Sequence, residues 1–421
     1  MTWLLAAVAL AQASLASAQT ASIPLSARVS NLDTLVREAM ARNPDAIAAW
    51  QRWQALTKAP LQLRTLPDPQ VQLQEFTVGS PRPSAGYETS DFYYTGFGAS
   101  QEIPGPGKLR LQGEIGEQDA EVARHQYDAA QREAAEKVRE NYFELFYLTK
   151  TISLLEDRRS DLAEVAKAAE ARYRVGQGQL QDVLKAQLLA TQMLNEIEHH
   201  HREMQQRQAD LKSALGRDPD SADIPIGDVK PTRLELTDAQ LARTVTDHAT
   251  GLMMDRAVEQ RGEDALGLAR KGYIPDFTVG YMYQKTGPGR RDYYALTLGA
   301  KIPLYFWRKQ APAVEQAALA LSAARSQTRA HELDAAASAE DQLIAIHAAD
   351  RVLAIYRDGL LPQAESSLQA AQAAYWAAKV DFQTLIAAFA DLRNLNEEYF
   401  RELADHEIAV AKLEQIVGDL K

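Results

Sequence analysis

The segment IPDFTVGYMYQKTGPGRRDYYALTLGAKIP, residues 274–303, decides the fold class. Phe277, Val279, Tyr281 and Tyr283 alternate with Thr278, Gly280, Met282 and Gln284. After the loop at 285–292 the alternation resumes, with Tyr294, Leu296, Leu298, Ala300 and Ile302 set against Ala295, Thr297, Gly299 and Lys301. A period of two puts unlike residues on opposite faces of a strand. One face is aliphatic and aromatic; the other is small and polar. The Gly and Pro content of KTGPGRRD reads as an exposed hairpin turn. Pro275 and Pro303 bracket the pair, where a missing N–H is tolerated. Each strand has the length, about ten residues, of a strand in an outer-membrane barrel.

The same pattern occurs about 200 residues earlier. Leu66-Pro67-Asp68 corresponds to Ile274-Pro275-Asp276, and Ile103-Pro104 to Ile302-Pro303. Val71 and Leu73 alternate with glutamines, then Phe76 and Val78 shift the phase, which reads as a bulge. Tyr93, Thr95, Phe97 and Ala99 carry the second strand after a loop at 79–91. Tyr173 and Tyr375 correspond at a similar spacing, as do Leu215-Gly216 and Val417-Gly418. Self-similarity at such an interval means a duplicated unit with unequal loops.

Each unit reads as a helix, two strands and two very long helices. Asn31 and Thr237 stand as N-caps before amphipathic runs at 32–57 and 238–271. From Lys108 to Arg174 there is no proline, which allows about 100 Å of helix. The counterpart runs from Val314 towards Tyr375, where Pro362 is expected to kink or break it. In the last helix Leu385, Phe389, Leu392, Asn396, Tyr399, Leu403, His406, Val410, Leu413 and Val417 step by four and three, a coiled-coil seam. Leu343, Ile346, Leu353 and Leu360 keep a similar spacing on the opposing arm.

Trp3 to Leu10 is an apolar core, and Ala16-Ser17-Ala18 is a small-residue cleavage site, although no Lys or Arg precedes them. This reads as a secretory signal peptide. The expected organisation is residues 1–18 signal peptide, 19–216 first repeat, 217–236 linker and 237–418 second repeat. The first repeat has strands at about 67–79 and 92–103 and a helical hairpin at about 108–215. The second has strands at about 275–285 and 293–302 and a hairpin at about 309–417.

Composition removes several classes. A net charge of -11 over 421 residues argues against a duplex nucleic-acid binder, which needs a basic face. The absence of cysteine excludes disulfides, Cys-ligated zinc, Fe–S clusters, a thiol nucleophile and a Cys-linked lipid anchor. Mean hydropathy is -0.34, and after the first twenty residues no apolar run approaches the ~20 residues of a spanning helix. His199-His200-His201 cannot converge on one ion, because adjacent helical residues point to different faces. Gly176-Gln177-Gly178 and Gly96-Phe97-Gly98 are too short for a nucleotide loop, and no G-x-S-x-G occurs. No enzyme activity, metal site or cofactor is expected.

Four strands cannot close a barrel, and a span in lipid leaves no edge unpaired. Several chains must therefore share one barrel. A periplasmic coiled-coil scaffold or structural envelope protein would explain the helices but not the alternation at 277–283 and 294–302. An outer-membrane barrel enzyme would need a catalytic constellation, which the sequence lacks.

Arg172-Tyr173-Arg174-Val175-Gly176, followed by Leu180-Gln181-Asp182-Val183-Leu184, together with the paired Pro-Asp strand starts, resembles the outer membrane efflux factors of the TolC family. Residues 101–108 and Val380-Asp381-Phe382 are similar to the branch serving heavy-metal efflux. The resemblance implies an α+β membrane protein: a homotrimer sharing a barrel of about twelve strands, four per chain, above a periplasmic α-helical coiled-coil barrel. It implies an outer-membrane location in a Gram-negative-type bacterium, contact with outer membrane lipid, and transport without chemistry. The implied partners are a periplasmic membrane-fusion adaptor and an inner-membrane pump of RND type.

The resemblance also implies a periplasmic gate at the hairpin tips, involving Asp182, Tyr375, Tyr173 and Thr384. Thr384 stands where a second acidic ring would lie, and Val380 stands where the family has a basic partner. A Tyr375–Asp182 latch is left; the alternatives are macrodipole pairing for Asp182 and simple packing for Tyr173 and Tyr375. Adaptor docking is implied for Arg172, Gly176, Gly178 and Leu180 at the first tip, and for Ala378, Lys379, Asp381 and Phe382 at the second.

Overall fold

Helix-forming segments dominate the chain, and the one sheet is assembled from both halves. The computed structural model describes residues 31–77, 82, 93–234, 236–287 and 289–418. The expected signal peptide, Val78 and most of the 79–91 loop lie outside the described residues. The first half contains α1 Leu32–Arg42, α2 Pro44–Leu56, α3 Ala59–Arg64, β1 Gln70–Phe76, β2 Tyr94–Ile103, α4 Lys108–Arg174 and α5 Leu180–Ala214. The second contains α6 Asp238–His248, α7 Thr250–Lys271, β3 Asp276–Thr286, β4 Tyr293–Lys301, α8 Gln310–Ile355, a π-helical turn Tyr356–Leu360, α9 Leu361–Trp376 and α10 Phe382–Val417.

Four local expectations change. The helix expected at 32–57 is two helices, because Asn43 ends α1 and caps α2 ahead of Pro44. Its side-chain oxygen accepts from Asp45 N, and its amide donates to Ala214 O at 3.0 Å, tying the break to the end of α5. The run at 238–271 likewise divides at Ala249. Pro362 does not break its helix. The backbone widens into the π turn just before it, where the Leu361 N–H reaches Tyr356 O, so the proline ring is accommodated without interrupting the rod. Finally, β1 pairs with β2 without a bulge, from Gln70 opposite Ser100 to Phe76 opposite Tyr94. Phe76 sits on the glutamine face because Tyr94 lies directly across, the rings stacked at 5.4 Å.

The sheet is antiparallel throughout in the order β1-β2-β3-β4. The central β2–β3 ladder joins the halves, from Tyr94 opposite Thr286 to Ile103 opposite Phe277. The long helices pack by their seams. Leu385, Leu392, Leu403, His406, Leu413 and Val417 of α10 are buried, as are Leu343, Ile346 and Leu353 of α8. The seam loosens at Asn396 and Tyr399 beside the π turn, where Tyr356 and Tyr399 approach at 6.5 Å. The linker lies as a strap across the middle of the rods. The Gln208 amide exchanges two hydrogen bonds with Ile224, the Tyr142 hydroxyl accepts from Gly227 N, and Glu407 accepts from both Thr232 N and Thr232 Oγ.

Candidate channel surfaces and hairpin tips

Strand register sorts the sheet residues onto two faces. Val71, Leu73, Phe97, Phe277, Val279, Tyr281, Tyr294, Leu296 and Leu298 share one, and all are exposed, Leu73 by 75% and Leu298 by 73%. The opposite face carries Gln72, Gln74, Gly96, Gly98, Ser100, Thr278, Gly280, Gln284, Thr297 and Gly299. A contiguous apolar face of this kind in water is unusual for a monomer. The outer strands β1 and β4 each have one edge with no partner strand among the described residues, the feature that soluble sheets blunt and membrane sheets close.

At the base of the sheet, motifs from the two halves interlock. Lys108 Nζ donates to Asp276 Oδ1 at 2.7 Å and to Ile274 O at 2.8 Å, while Gly105 N donates to the same carboxylate oxygen at 2.8 Å. A Cβ on Gly105 would stand 2.8 Å from Pro275 O, so only glycine permits this approach. The Gly-Pro-Gly-Lys and Ile-Pro-Asp segments, placed by the sequence at strand ends, are thus two parts of one joint. Their repeated Pro and Gly gave the position; the contact between them needed the fold.

At the far end are the hairpin tips. Gly176 has φ +75, and the bonds from Gly176 N to Tyr173 O and from Gln177 N to Arg172 O close the α4 terminus. Gly178 fits against Arg172 and Tyr173, whose nearest atoms lie 3.1 Å from where its Cβ would be. The second tip repeats the turn with Ala378, the one non-glycine at positive φ among the described residues (φ 56). Lys379 N bonds Ala374 O there at 2.8 Å. Asp381 caps α10 by accepting from Thr384 N at 2.9 Å and Thr384 Oγ at 2.6 Å, and the Thr384 bonds hold its carboxyl below the ordinary range. Thr384 is therefore engaged in a cap.

Tyr375 is 3% exposed and packs edge-on against Phe382 and Trp376. Arg172 clamps it. The guanidinium stands 4.8 Å from the ring centroid and donates to Tyr375 O at 3.1 Å. Burial pushes the phenol up, the Arg172 charge opposes this, and Asp182 adds to it. Asp182 lies in the first turn of α5, and no hydrogen bond joins it to Tyr375 among the described residues. Tyr173 and Leu180 are exposed, as is Lys379. One turn further in, Lys185 Nζ reaches Gln383 Oε1 at 2.8 Å, linking α5 to α10. The structure therefore brings Arg172, Tyr375 and Phe382 together and leaves Tyr173 outside. The sequence offered Arg172 only as a docking residue, since a partner 203 positions away gives no local signal.

Among the described residues no three His, Asp or Glu side chains converge on a metal position. His199 engages Arg202, and His200 stands 3.7 Å from Glu203, pairings along one helix. No helix among the described residues is long and apolar enough to cross a membrane.

Three solved structures share this fold. VceC from Vibrio cholerae is 17% identical with TM-score 0.77, over 92% of this chain and 96% of that one. A CusC structure, described for conformational changes accompanying folding and transmembrane channel formation, is 15% identical with TM-score 0.80, over 92% of each chain. The open state of the MtrE outer membrane channel from Neisseria gonorrhoeae is 16% identical with TM-score 0.75, over 92% of this chain and 88% of that one. No curated protein sequence is significantly similar. The profile of the outer membrane efflux proteins matches residues 35–217 and again 246–419, spanning both hairpins and the sheet between them, and the chain belongs to that family of non-enzymatic efflux channels.

Proposed function

We propose that the chain is the outer membrane component of a tripartite efflux system, acting as a homotrimer. The two proposed repeats, 19–216 and 237–418, would each supply two strands and one long hairpin. Three copies would pair the β4 edge of one chain with the β1 edge of the next, closing a barrel of about twelve strands. The apolar face would meet lipid, and the glutamine, glycine and threonine face would line the lumen. The helical rods would continue the tube into the periplasm. Their tips, carrying Arg172, Gly176, Gly178, Leu180, Ala378, Lys379, Asp381 and Phe382, would meet a membrane-fusion adaptor and, through it, an RND-type pump.

The observation that carries this reading is the sheet, apolar and exposed on one face and, among the described residues, open at both edges. A periplasmic scaffold would leave that face in water. The test is extraction from outer membranes followed by planar-bilayer recording. Heat-resistant trimers with unitary conductance are expected; a monodisperse monomer with full strand content defeats the architecture.

For cargo, heavy-metal cations come first, on the resemblance at 101–108 and 380–382. A deletion strain should be hypersensitive to copper, silver, zinc or cobalt. Hypersensitivity to dyes and antibiotics alone removes the metal assignment and keeps the efflux role.

A further inference from the structure

Where the chain leaves β4 it forms an elbow, Leu304-Tyr305-Phe306-Trp307-Arg308-Lys309, before α8 begins. Leu304, Tyr305, Phe306 and Trp307 are 67%, 62%, 49% and 56% exposed. They are not loose. Arg308 N and Lys309 N both bond Tyr305 O, and Ala311 N bonds Phe306 O at 2.8 Å. The rings pack on one another, Phe306 to Trp307 at 5.2 Å, Tyr305 to Trp307 at 6.1 Å and Tyr273 to Phe306 at 6.4 Å. A built cluster of large rings is thus held outward, next to two basic side chains. Arg308 and Lys309 are exposed and make no ion pair among the described residues, and the first acidic residue of α8 is Glu315.

Position and charge together define the occupant. The apolar band of Val279, Leu296 and Leu298 has Tyr281, Tyr283 and Tyr294 towards its loop end and this elbow at its helix end. Tyr and Trp favour the depth of lipid headgroups, where one end of the ring is apolar and the other wet. Rings alone accept any headgroup; adjoining unpaired cations favour an anionic one. The corresponding segment of the first half is Gly105-Pro106-Gly107, closed against Pro275 and without an aromatic. Among the described residues the feature therefore occurs once.

We infer that the 304–309 elbow is a seat for anionic phospholipid headgroups in the leaflet facing the helical rods. The inference rests on the proposed outer-membrane channel and names the class of lipid that channel prefers. Each basic residue near an anionic surface adds about fivefold in affinity, so Arg308 and Lys309 together would give up to about twenty-five-fold.

The test uses the full trimer in phosphatidylcholine vesicles doped with headgroup-proximal brominated phosphatidylcholine or brominated phosphatidylglycerol. Trp307 quenching is isolated as the difference between wild type and Trp307→Phe. Both lipids should quench, with an association constant for phosphatidylglycerol about five to twenty-five times that for phosphatidylcholine. The preference should fall towards unity in Arg308→Gln/Lys309→Gln, and in about 1 M salt, where the Debye length is about 3 Å. Equal quenching by the two lipids in wild type overturns the inference and leaves the channel standing. Absent quenching with normal conductance shows that protein covers the elbow, and also overturns it. Absent quenching without conductance removes the inference and the channel reading together.

Discussion

Replacing Arg172 with Gln should open the periplasmic entrance. Arg172 is half-buried and binds Tyr375 twice, through the carbonyl at 3.1 Å and over the ring at 4.8 Å. A hydrogen bond from a charged donor contributes about 1.5–3 kcal/mol, and an exposed cation–π contact about 0.5–1 kcal/mol. Partial exposure brings the pair to about 2 kcal/mol per chain. Three symmetric copies then bias a concerted closed state by about 6 kcal/mol, close to the roughly 5.5 kcal/mol that moves an equilibrium from 1:99 to 99:1. An adaptor would open the entrance by binding the separated tips better by a comparable amount. The assay is single-channel recording at fixed voltage, with trimer yield as the control. Arg172→Gln should raise open probability and conductance, and Arg172→Lys should give part of the effect, since it keeps the charge and loses the planar fork. Tyr375→Phe keeps both ring and carbonyl and should change little, as should Asp182→Ala. Opening by Tyr375→Phe and Asp182→Ala, with Arg172→Gln silent, would refute the clamp and place the latch in a phenol–carboxylate bond formed only in the assembled trimer.

Other expectations concern the base, the strap and the second tip. Asp276→Asn should weaken the sheet base by about 2–3 kcal/mol, because it removes a charged acceptor shared by Lys108 and Gly105. The trimer's heat resistance reports this, and simple additivity with Lys108→Met would show that the two do not interact. The Arg217 hydrogen bond holds the Glu38 carboxyl below its ordinary range against the opposing effect of burial, so this pair stabilises the fold above the unfolded carboxylate pKa. That contribution should disappear as pH falls from about 5 through the depressed folded value. The melting temperatures of wild type and Glu38→Gln should accordingly converge on acidification, and a constant gap would contradict the linkage. Ala378→Gly should relieve the positive φ and stabilise the tip by up to about 1 kcal/mol, measured as slower amide exchange at 375–382. Faster exchange there would count against the left-handed turn.

What the sequence disclosed is what short-range physics controls. The alternation at 277–283 and 294–302 yielded strand faces that the register reproduces residue for residue. The four-three stepping from Leu385 to Val417 yielded the buried seam of α10, loosened only at Asn396 and Tyr399. Where inference failed, a distant partner decided the outcome. Phe76 looked out of phase until Tyr94 appeared opposite it. The break at Asn43 is written locally in Asn-Pro but is fixed by the carbonyl of Ala214. Pro362 was expected to kink or break the helix, whereas the π turn that absorbs it leaves no compositional trace.

The contacts least legible in sequence are the polar ones that join the two halves. They form a column of polar links between the halves. Lys108–Asp276 sits at the sheet base with side chains 14% and 23% exposed. Arg139–Glu414 follows in the middle of the rods at 22% and 9%, then Arg401–Glu144 at 32% and 12%. Arg393–Glu196 lies nearer the tips at 26% and 43%, and Lys185–Gln383 is exposed. Arg261–Asp119, between base and middle, is wet at 49% and 38%, and from Arg139–Glu414 outward the column becomes wetter towards the tips. A charge pair weakens as its surroundings approach bulk water, and an exposed pair contributes about 0–1 kcal/mol. These polar links thus resist separation of the hairpins least towards the tips. The Arg172–Tyr375 clamp is the exception at the weak end, because Tyr375 is buried in a cluster with Leu368, Phe382 and Leu385. Opening should then begin with that clamp, run up the rods only as far as the half-buried pairs, and leave the sheet undisturbed.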